Sequence, residues 1–141
     1  MLATHSILLP AFVLVALTFV VMVRMYVTRV AQMKRERIHP QAVATSAQAA
    51  QKLTDSGAAD NFRNLSELPV LFYFGVAVML ALGLHDGWLL GLAWGFVALR
   101  IVHSAIHCSY NKVMHRFKAF LAGSAVLMLF WVRLVWCLLA A

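Results

Sequence analysis

Charged side chains are scarce in this chain. Only 12% of its 141 residues are Asp, Glu, Lys or Arg, whereas 63% are hydrophobic. The mean hydropathy is +0.83. A soluble globule of this size needs more polar side chains than these to cover its surface. The composition therefore excludes a soluble protein and predicts an integral membrane protein.

Acidic side chains are the scarcest of the charged residues. Five Asp and Glu stand against twelve Lys and Arg, which gives a net charge of +7. Such an excess is usual in proteins that bind nucleic acid, anionic lipid or an anionic ligand. The basic residues lie between the apolar runs and form no extended face. We therefore expect contact with membrane lipid and no nucleic acid as a partner.

The chain has few residues suited to disulfides or metals. Its two cysteines, Cys108 and Cys137, fall towards opposite ends of the last two apolar runs, so we expect free thiols. His103 and His107 share a helix face, and with Glu67 they would make three metal ligands. The chain lacks an H-E-x-x-H sequence and a cysteine partner for this set. We therefore favour a polar helix interface and expect no metal.

Four apolar runs dominate the chain, and each is about long enough to cross a bilayer at roughly 1.5 Å per residue. They predict helices at about 6–34, 60–83, 88–113 and 117–140. The predicted fold is an all-α integral membrane protein, a four-transmembrane-helix bundle forming a single domain over residues 1–141. Pro69 should interrupt and bend the second helix.

The loops predict how the bundle is oriented. Two basic loops, after the first and third runs, lie on one side, and a short loop at 83–87 lies on the other. The positive-inside rule assigns the basic side to the cytoplasm. Both termini are then expected on the non-cytoplasmic side, and the stretch at 40–59 is expected to be a partly helical, mobile loop.

The third run carries a polar stripe inside an otherwise apolar sequence. Arg100, His103, Ser104, His107 and Asn111 fall within a roughly 100° arc of a helical wheel. Ionisable groups in a membrane helix turn towards a bundle interior, a partner charge or a water-filled cavity. The stripe therefore predicts a site.

Two ion pairs are predicted to join the helices. Glu67 and Arg100 lie at matching depth on neighbouring helices, and either charge alone in hydrocarbon costs several kcal/mol. Their pairing would serve either helix register alone or a binding site. Near the other membrane face, Arg133 is expected to extend to the interface or to pair with Asp86.

These residues resemble the MAPEG family (membrane-associated proteins in eicosanoid and glutathione metabolism). The resemblance rests on R-N-L-S-E at 63–67 near a proline, R-I-V-H at 100–103, and Arg116 thirteen positions after His103. It spans nearly the whole chain and is closest to small bacterial members, which implies a bacterial inner membrane. It also implies a homotrimer that binds glutathione as co-substrate between neighbouring subunits, near the cytoplasmic side.

The resemblance also implies roles for individual residues. Arg116 is the implied catalytic residue, which stabilises the thiolate of glutathione. The implied glutathione-binding residues are Arg63, Asn64, Glu67, Arg100, His103 and His107, with Arg35 or Arg37 contributed by a neighbouring subunit. The chain departs from the family at His107, where a tyrosine is usual, and at Phe117, where a small hydroxyl residue is usual.

The implied function is a membrane-bound transferase or peroxidase that joins glutathione, or a related thiol, to a lipophilic electrophile. It would work by orienting the thiolate and stabilising its charge. The alternative is a non-catalytic trimeric scaffold or lipid-binding protein of the same fold, whose basic loops bind anionic lipid. Stabilisation by glutathione distinguishes the two, because a ligand that binds only the folded state raises its stability.

Overall fold

The computed structural model describes residues 6–140, and all of its regular structure is helical. The α-helices, in chain order, are α1 (Leu8–Arg35), α2 (Ser46–Lys52), α3 (Gly57–Glu67), α4 (Pro69–Ala81), α5 (Gly87–His107) and α6 (Val113–Leu139). A 3₁₀ turn, Pro40–Val43, precedes α2.

Four helical segments are long and apolar enough to cross a membrane, with mean hydropathy from 1.5 to 2.4. They are α1, the consecutive pair α3 and α4, α5, and α6. This confirms the prediction of an all-α integral membrane protein with four spanning helices. The predicted location of the termini concerns Met1 and Ala141, which lie outside the described residues.

The second span is interrupted where the proline predicts. Leu68 lies between the end of α3 and the start of α4, and it keeps helical backbone angles of φ −60° and ψ −39°. Pro69, the first residue of α4, has no N–H to continue the hydrogen-bond ladder. Because the backbone stays helical across the break, α3 and α4 follow one another as a single span.

The connection between α5 and α6 differs from the expected one. α5 ends at His107, six residues before the expected end, and α6 begins at Val113, four residues earlier than expected. Asn111 adopts a left-handed backbone, with φ of 48°. Asparagine tolerates that conformation better than most residues. The early end of α5 turns Asn111 back towards the first turn of α6.

The end of the basic loop is anchored to α1. Gln32 is only 3% exposed. Its Nε2 donates to the Thr54 hydroxyl at 3.0 Å, and its Oε1 accepts from the backbone N–H of Asp55 at 3.3 Å. Each polar atom of this buried amide is therefore satisfied by the segment that leads into α3.

The core lies along α5, which packs against α6 and α1. An aromatic cluster at its middle joins three spans, with the ring of Phe72 5.1 Å from that of Phe96 and 5.8 Å from that of Phe130. All three rings are fully buried. Apolar packing on this scale is worth about 1.5–3 kcal/mol per side chain, and it fixes the α5 turns that follow.

An ion pair closes the bundle at the end opposite the basic loops. Arg133 Nε donates to the Asp86 carboxylate at 3.2 Å. The Asp86 carboxylate also caps the start of α5, because it accepts a hydrogen bond from the backbone N–H of Leu89 at 2.8 Å. The Arg133 hydrogen bonds hold the pKa of Asp86 below its usual value. Of the two alternatives expected for Arg133, the structure shows the pairing with Asp86. Cys108 and Cys137 are both free thiols, as expected.

At Gly75, α4 packs so close to Phe130 of α6 that a side chain should not be tolerated there. A Cβ at Gly75 would lie 2.5 Å from Cε1 of the buried Phe130 ring. We expect Gly75→Ala to lower the free energy of unfolding by about 1–3 kcal/mol through overpacking. Thermal unfolding in detergent measures this, and adding Phe130→Leu should recover part of the loss.

Gly91→Ala is the matched control for this substitution. Gly91 lies inside α5, and a Cβ there would meet nothing within 4 Å. Alanine favours a helix over glycine by about 1 kcal/mol, so this variant should be unchanged or more stable. Equal losses from the two alanines would contradict the packing argument.

Candidate functional site

One side of α5 carries four buried polar side chains, which we call the α5 polar face: Arg100, His103, Ser104 and His107. Each is at most 2% exposed. The opposite side presents Ile101 and Val102, which are 42% and 49% exposed. Four residues of the predicted polar stripe are thus confirmed as facing the bundle interior. The prediction for the fifth, Asn111, is wrong, because α5 ends at His107 and Asn111 lies exposed in the connection that follows.

Arg100 is enclosed without a counter-charge from residues 6–140. Its guanidinium carbon lies 5.2 Å from the ring centre of Phe96 and 5.1 Å from that of Phe120. None of its three guanidinium nitrogens has a hydrogen-bond partner among residues 6–140. Aromatic faces attract a cation, but they do not satisfy its N–H donors. The site therefore holds a buried positive charge with its hydrogen-bond capacity unused.

The predicted pair of Glu67 with Arg100 is wrong within one chain. Glu67 is exposed at the end of α3 and forms no salt bridge in the described part of the chain. The buried residues of α3 are Ala58, Asn61 and Leu65, and Glu67 lies roughly opposite them on the helix. The Glu67 side chain therefore points away from the α5 polar face, whatever its depth in the membrane.

Asn61 takes the inward position on α3. It is fully buried, its Oδ1 accepts from the Ser104 hydroxyl at 3.2 Å, and its Nδ2 lies 3.5 Å from Sγ of Cys108. Asn61 is not among the site residues that the sequence predicts. The helical spacing of Ala58, Asn61 and Leu65 was the signal, since it places the amide on the apolar face of α3.

His103 and His107 stack on one another, and Arg116 joins them from α6. The two imidazole centres are 5.5 Å apart. Nε2 of His107 lies 2.7 Å from Nη1 of Arg116, and its Nδ1 lies 2.7 Å from the Gly57 carbonyl oxygen. The Nδ1 of His103 is buried without a partner among residues 6–140. The structure therefore brings together three of the expected site residues.

Both ring nitrogens of His107 are used inside the chain. One contacts the first residue of α3 and the other contacts α6. Within the described chain, neither nitrogen is left for a ligand, and the implied contact of His107 with glutathione stays a prediction. His103, with its unused Nδ1, is the imidazole that keeps a nitrogen for a ligand.

Five expected site residues lie away from the α5 polar face. Arg63 and Glu67 are exposed and Asn64 is half-buried on the outer side of α3. Arg35 and Arg37 are exposed at the end of α1 and just beyond it. Arg35 donates to Glu36 at 3.1 Å, which lowers the pKa of that carboxyl group. Within one chain, none of them reaches Arg100.

A second polar space lies where the basic loop meets the end of α5. It is a cavity of about 190 Å³, with Arg24 and Thr28 on one wall and His107 and Cys108 on another. The Arg24 guanidinium donates to the backbone carbonyl of Cys108. α1 thus holds the end of α5 from outside the α5 polar face. Within residues 6–140, no three His, Cys, Asp or Glu side chains are placed to hold a metal.

The fold and the site define an all-helical membrane protein with a buried cationic site between spanning helices. A model of the MAPEG family matches residues 7–136, which is most of the chain. The chain therefore belongs to the MAPEG family, as the motifs of its second and third spans indicated. Comparisons with curated proteins and with solved structures give no match.

The buried arginine should be costly when no anion is present. Replacing Arg100 by methionine removes an unpaired charge and keeps an apolar side chain of similar length between two aromatic rings. We expect Arg100→Met, purified without thiols or added anions, to be as stable as wild type or about 1–4 kcal/mol more stable. Thermal unfolding in a neutral detergent measures this.

Arg133→Met is the control, because its guanidinium has a carboxylate partner. Losing the charged hydrogen bonds to Asp86 should lower the free energy of unfolding. If Arg100→Met loses as much as Arg133→Met, the folded protein supplies Arg100 with a counter-charge after all.

Proposed function

We propose that this protein is a membrane-bound glutathione transferase or peroxidase that acts on lipophilic electrophiles. Membership of the MAPEG family suggests glutathione chemistry in a membrane. The observation that carries the proposal is the set of buried donors without partners, Arg100 and His103, next to Arg116. A polar face of this kind is costly in a membrane protein unless it binds something.

Glutathione suits these residues chemically. It carries two carboxylates and a thiol, so it supplies the anionic groups that the guanidinium of Arg100 lacks. Arginine binds carboxylates with two parallel hydrogen bonds. The Nδ1 of His103 adds a further hydrogen-bonding position. We assign Arg100 and His103 to binding and Arg116 to the thiol.

Arg116 would act electrostatically. An ordinary thiol has a pKa near 8.5, and only the thiolate is a strong nucleophile. A guanidinium held beside the sulfur favours the thiolate at neutral pH. The thiolate then forms a carbon–sulfur bond with the electrophile as the leaving group departs with its electron pair. The protein contributes orientation and a fixed charge.

The apolar co-substrate would arrive from lipid. Phe117 lies beside Arg116 and is 55% exposed, and Met114 is 62% exposed two residues before it. These apolar side chains are on the outer side of α6, which faces the lipid. A lipophilic electrophile dissolved in the membrane would approach the site past this side of α6.

The outward-facing site residues support a homotrimer, which we propose as the active form. Arg63 and Glu67 are exposed and Asn64 is half-buried on α3, and an exposed carboxylate in a spanning helix calls for a polar partner. A neighbouring subunit would supply it, together with the basic residue expected from Arg35 or Arg37. Each glutathione would then contact two chains.

We also propose that the basic loops lie in the cytoplasm, in a bacterial inner membrane, with both termini on the other side. The experiment attaches a reporter that is active only outside the cytoplasm to each terminus in turn. Both fusions should be active, because two basic loops share the opposite face. Activity of a cytoplasmic reporter at either end would contradict this orientation.

Glutathione should stabilise the wild type and not Arg100→Met. A ligand at 100 times its dissociation constant adds about 2.7 kcal/mol to the stability of the state that binds it. Thermal unfolding with and without glutathione measures this. If wild type and Arg100→Met respond equally, Arg100 does not belong to the glutathione site.

Removing Arg116 should abolish thiol transfer while leaving the fold intact. The assay is conjugation of glutathione to 1-chloro-2,4-dinitrobenzene by detergent-purified protein. We expect Arg116→Ala to lose at least about 100-fold in rate, as when one charge-stabilising donor is removed from other enzymes. Arg116→Lys should be intermediate, since it keeps the charge but not the planar fork.

Lys118→Ala controls for the loss of a positive charge in the same cluster. Lys118 is exposed two residues after Arg116 on α6, so its removal should leave the rate unchanged. If wild type neither binds glutathione nor turns over, the enzyme proposal fails. The scaffold or lipid-binding alternative then accounts for the fold.

A further inference from the structure

His107 has two contacts that together define its protonation. The Gly57 carbonyl, 2.7 Å from Nδ1, can only accept a hydrogen bond. The guanidinium of Arg116, 2.7 Å from Nε2, can only donate. The neutral ring with its proton on Nδ1 satisfies both contacts. The other tautomer and the imidazolium would each place an N–H against the N–H of Arg116.

The contact with Arg116 orients its charge without neutralising it. Arg116 makes one other hydrogen bond, to Oδ1 of Asn111 at 2.9 Å, and it forms no salt bridge with a described carboxylate. Both of its acceptors are neutral, and both are reached by Nη1. The guanidinium therefore keeps its full positive charge, with Nε and Nη2 unused by the described residues.

The position of His107 depends in turn on the start of α3. A Cβ at Gly57 would lie 2.8 Å from the carbonyl oxygen of His107, so the two backbones meet too closely for a side chain. The segment leading to Gly57 is held to α1 by the buried amide of Gln32. A continuous set of contacts thus runs from α1 through the loop and α5 to Arg116.

We propose that His107 is a positioning residue, which holds Arg116 through a fixed Nδ1–H tautomer and ties it to the first residue of α3. Its consequence for turnover rests on the proposed function, because that function gives Arg116 its role. The contact itself does not depend on catalysis.

Nuclear magnetic resonance of the full-length protein in detergent tests the contact directly. With nitrogen-labelled histidine, the His107 ring, identified by its loss in His107→Gln, should show a protonated Nδ1 and an unprotonated Nε2. With labelled arginine, the side-chain signal of Arg116 should move in His107→Phe. It should stay in place in His107→Gln, whose amide can donate to Gly57 and accept from Arg116.

Gly57→Ala provides a variant that leaves the imidazole in place. It should push α3 away and shift both the His107 and the Arg116 signals. Gly87→Ala is its control, because Gly87 is likewise the first residue of a helix and a Cβ there meets nothing within 4 Å. An Nε2–H tautomer in the wild type, or an Arg116 signal unmoved in both His107→Phe and Gly57→Ala, overturns the proposal.

The kinetic test separates positioning from simple stability. In His107→Phe, kcat for thiol transfer should fall by on the order of 10- to 100-fold, as for a misplaced catalytic group, and the rise of rate with pH should move to higher pH. His107→Gln should restore both. Unchanged kinetics in an active His107→Phe would refute the positioning role. An inactive wild type would instead refute the proposed function, while the magnetic resonance result still decides whether His107 holds Arg116.

Discussion

The unpaired charge of Arg100 is the constraint on which the membrane-buried part of this protein depends. A guanidinium between two phenyl rings keeps some favourable electrostatics, yet its five N–H donors go unused in the described chain. Because neither lipid nor the rings accept those hydrogen bonds, the folded chain alone leaves the site incomplete. Burial without a partner is tolerated where a group has a function, and here it favours an anion as ligand.

The arginines at the two ends of the bundle differ in whether a carboxylate neutralises their charge. At one end, Arg133 meets the carboxylate of Asp86, and the charge is neutralised within the fold. At the other end, Arg116 is held by an imidazole and an amide, which orient it but leave its charge intact. An ion pair stabilises helix packing, whereas an oriented and unneutralised cation can act on a bound anion. The contrast marks Arg133 as a structural arginine and supports the role that we propose for Arg116.

The sequence predicted what depends on composition and periodicity. Apolar runs located the four spans, Pro69 located the break in the second, and the spacing of Arg100, His103 and His107 located the buried polar face. The predicted pair of Glu67 with Arg100 was wrong because position along a helix does not determine which side of that helix is buried. The packing of Leu65 against the core, rather than attraction between Glu67 and Arg100, determines the buried side of α3.

Other features were not accessible from pattern alone. A glycine is needed at position 57 because its backbone lies so close to that of His107, and no sequence periodicity encodes that distance. The left-handed turn at Asn111 shortens α5 and returns an amide to Arg116, and this turn follows from the packed geometry of the α5–α6 connection. Contacts between segments about 50 residues apart, such as His107 with Gly57, form only when the helices are assembled.

The two contacts of His107 determine how this side of the site is held together. A tyrosine hydroxyl can turn to donate or accept, whereas a neutral imidazole has one donor and one acceptor fixed on opposite sides of a rigid ring. Here those two sides face a carbonyl and a guanidinium, so the ring connects α3 to α6 and has no nitrogen left for a ligand. Under the proposed function, recognition of the thiol compound would then fall to Arg100 and His103, which keep unused donors. In the proposed arrangement this histidine fixes Arg116 and leaves neither of its ring nitrogens for a ligand.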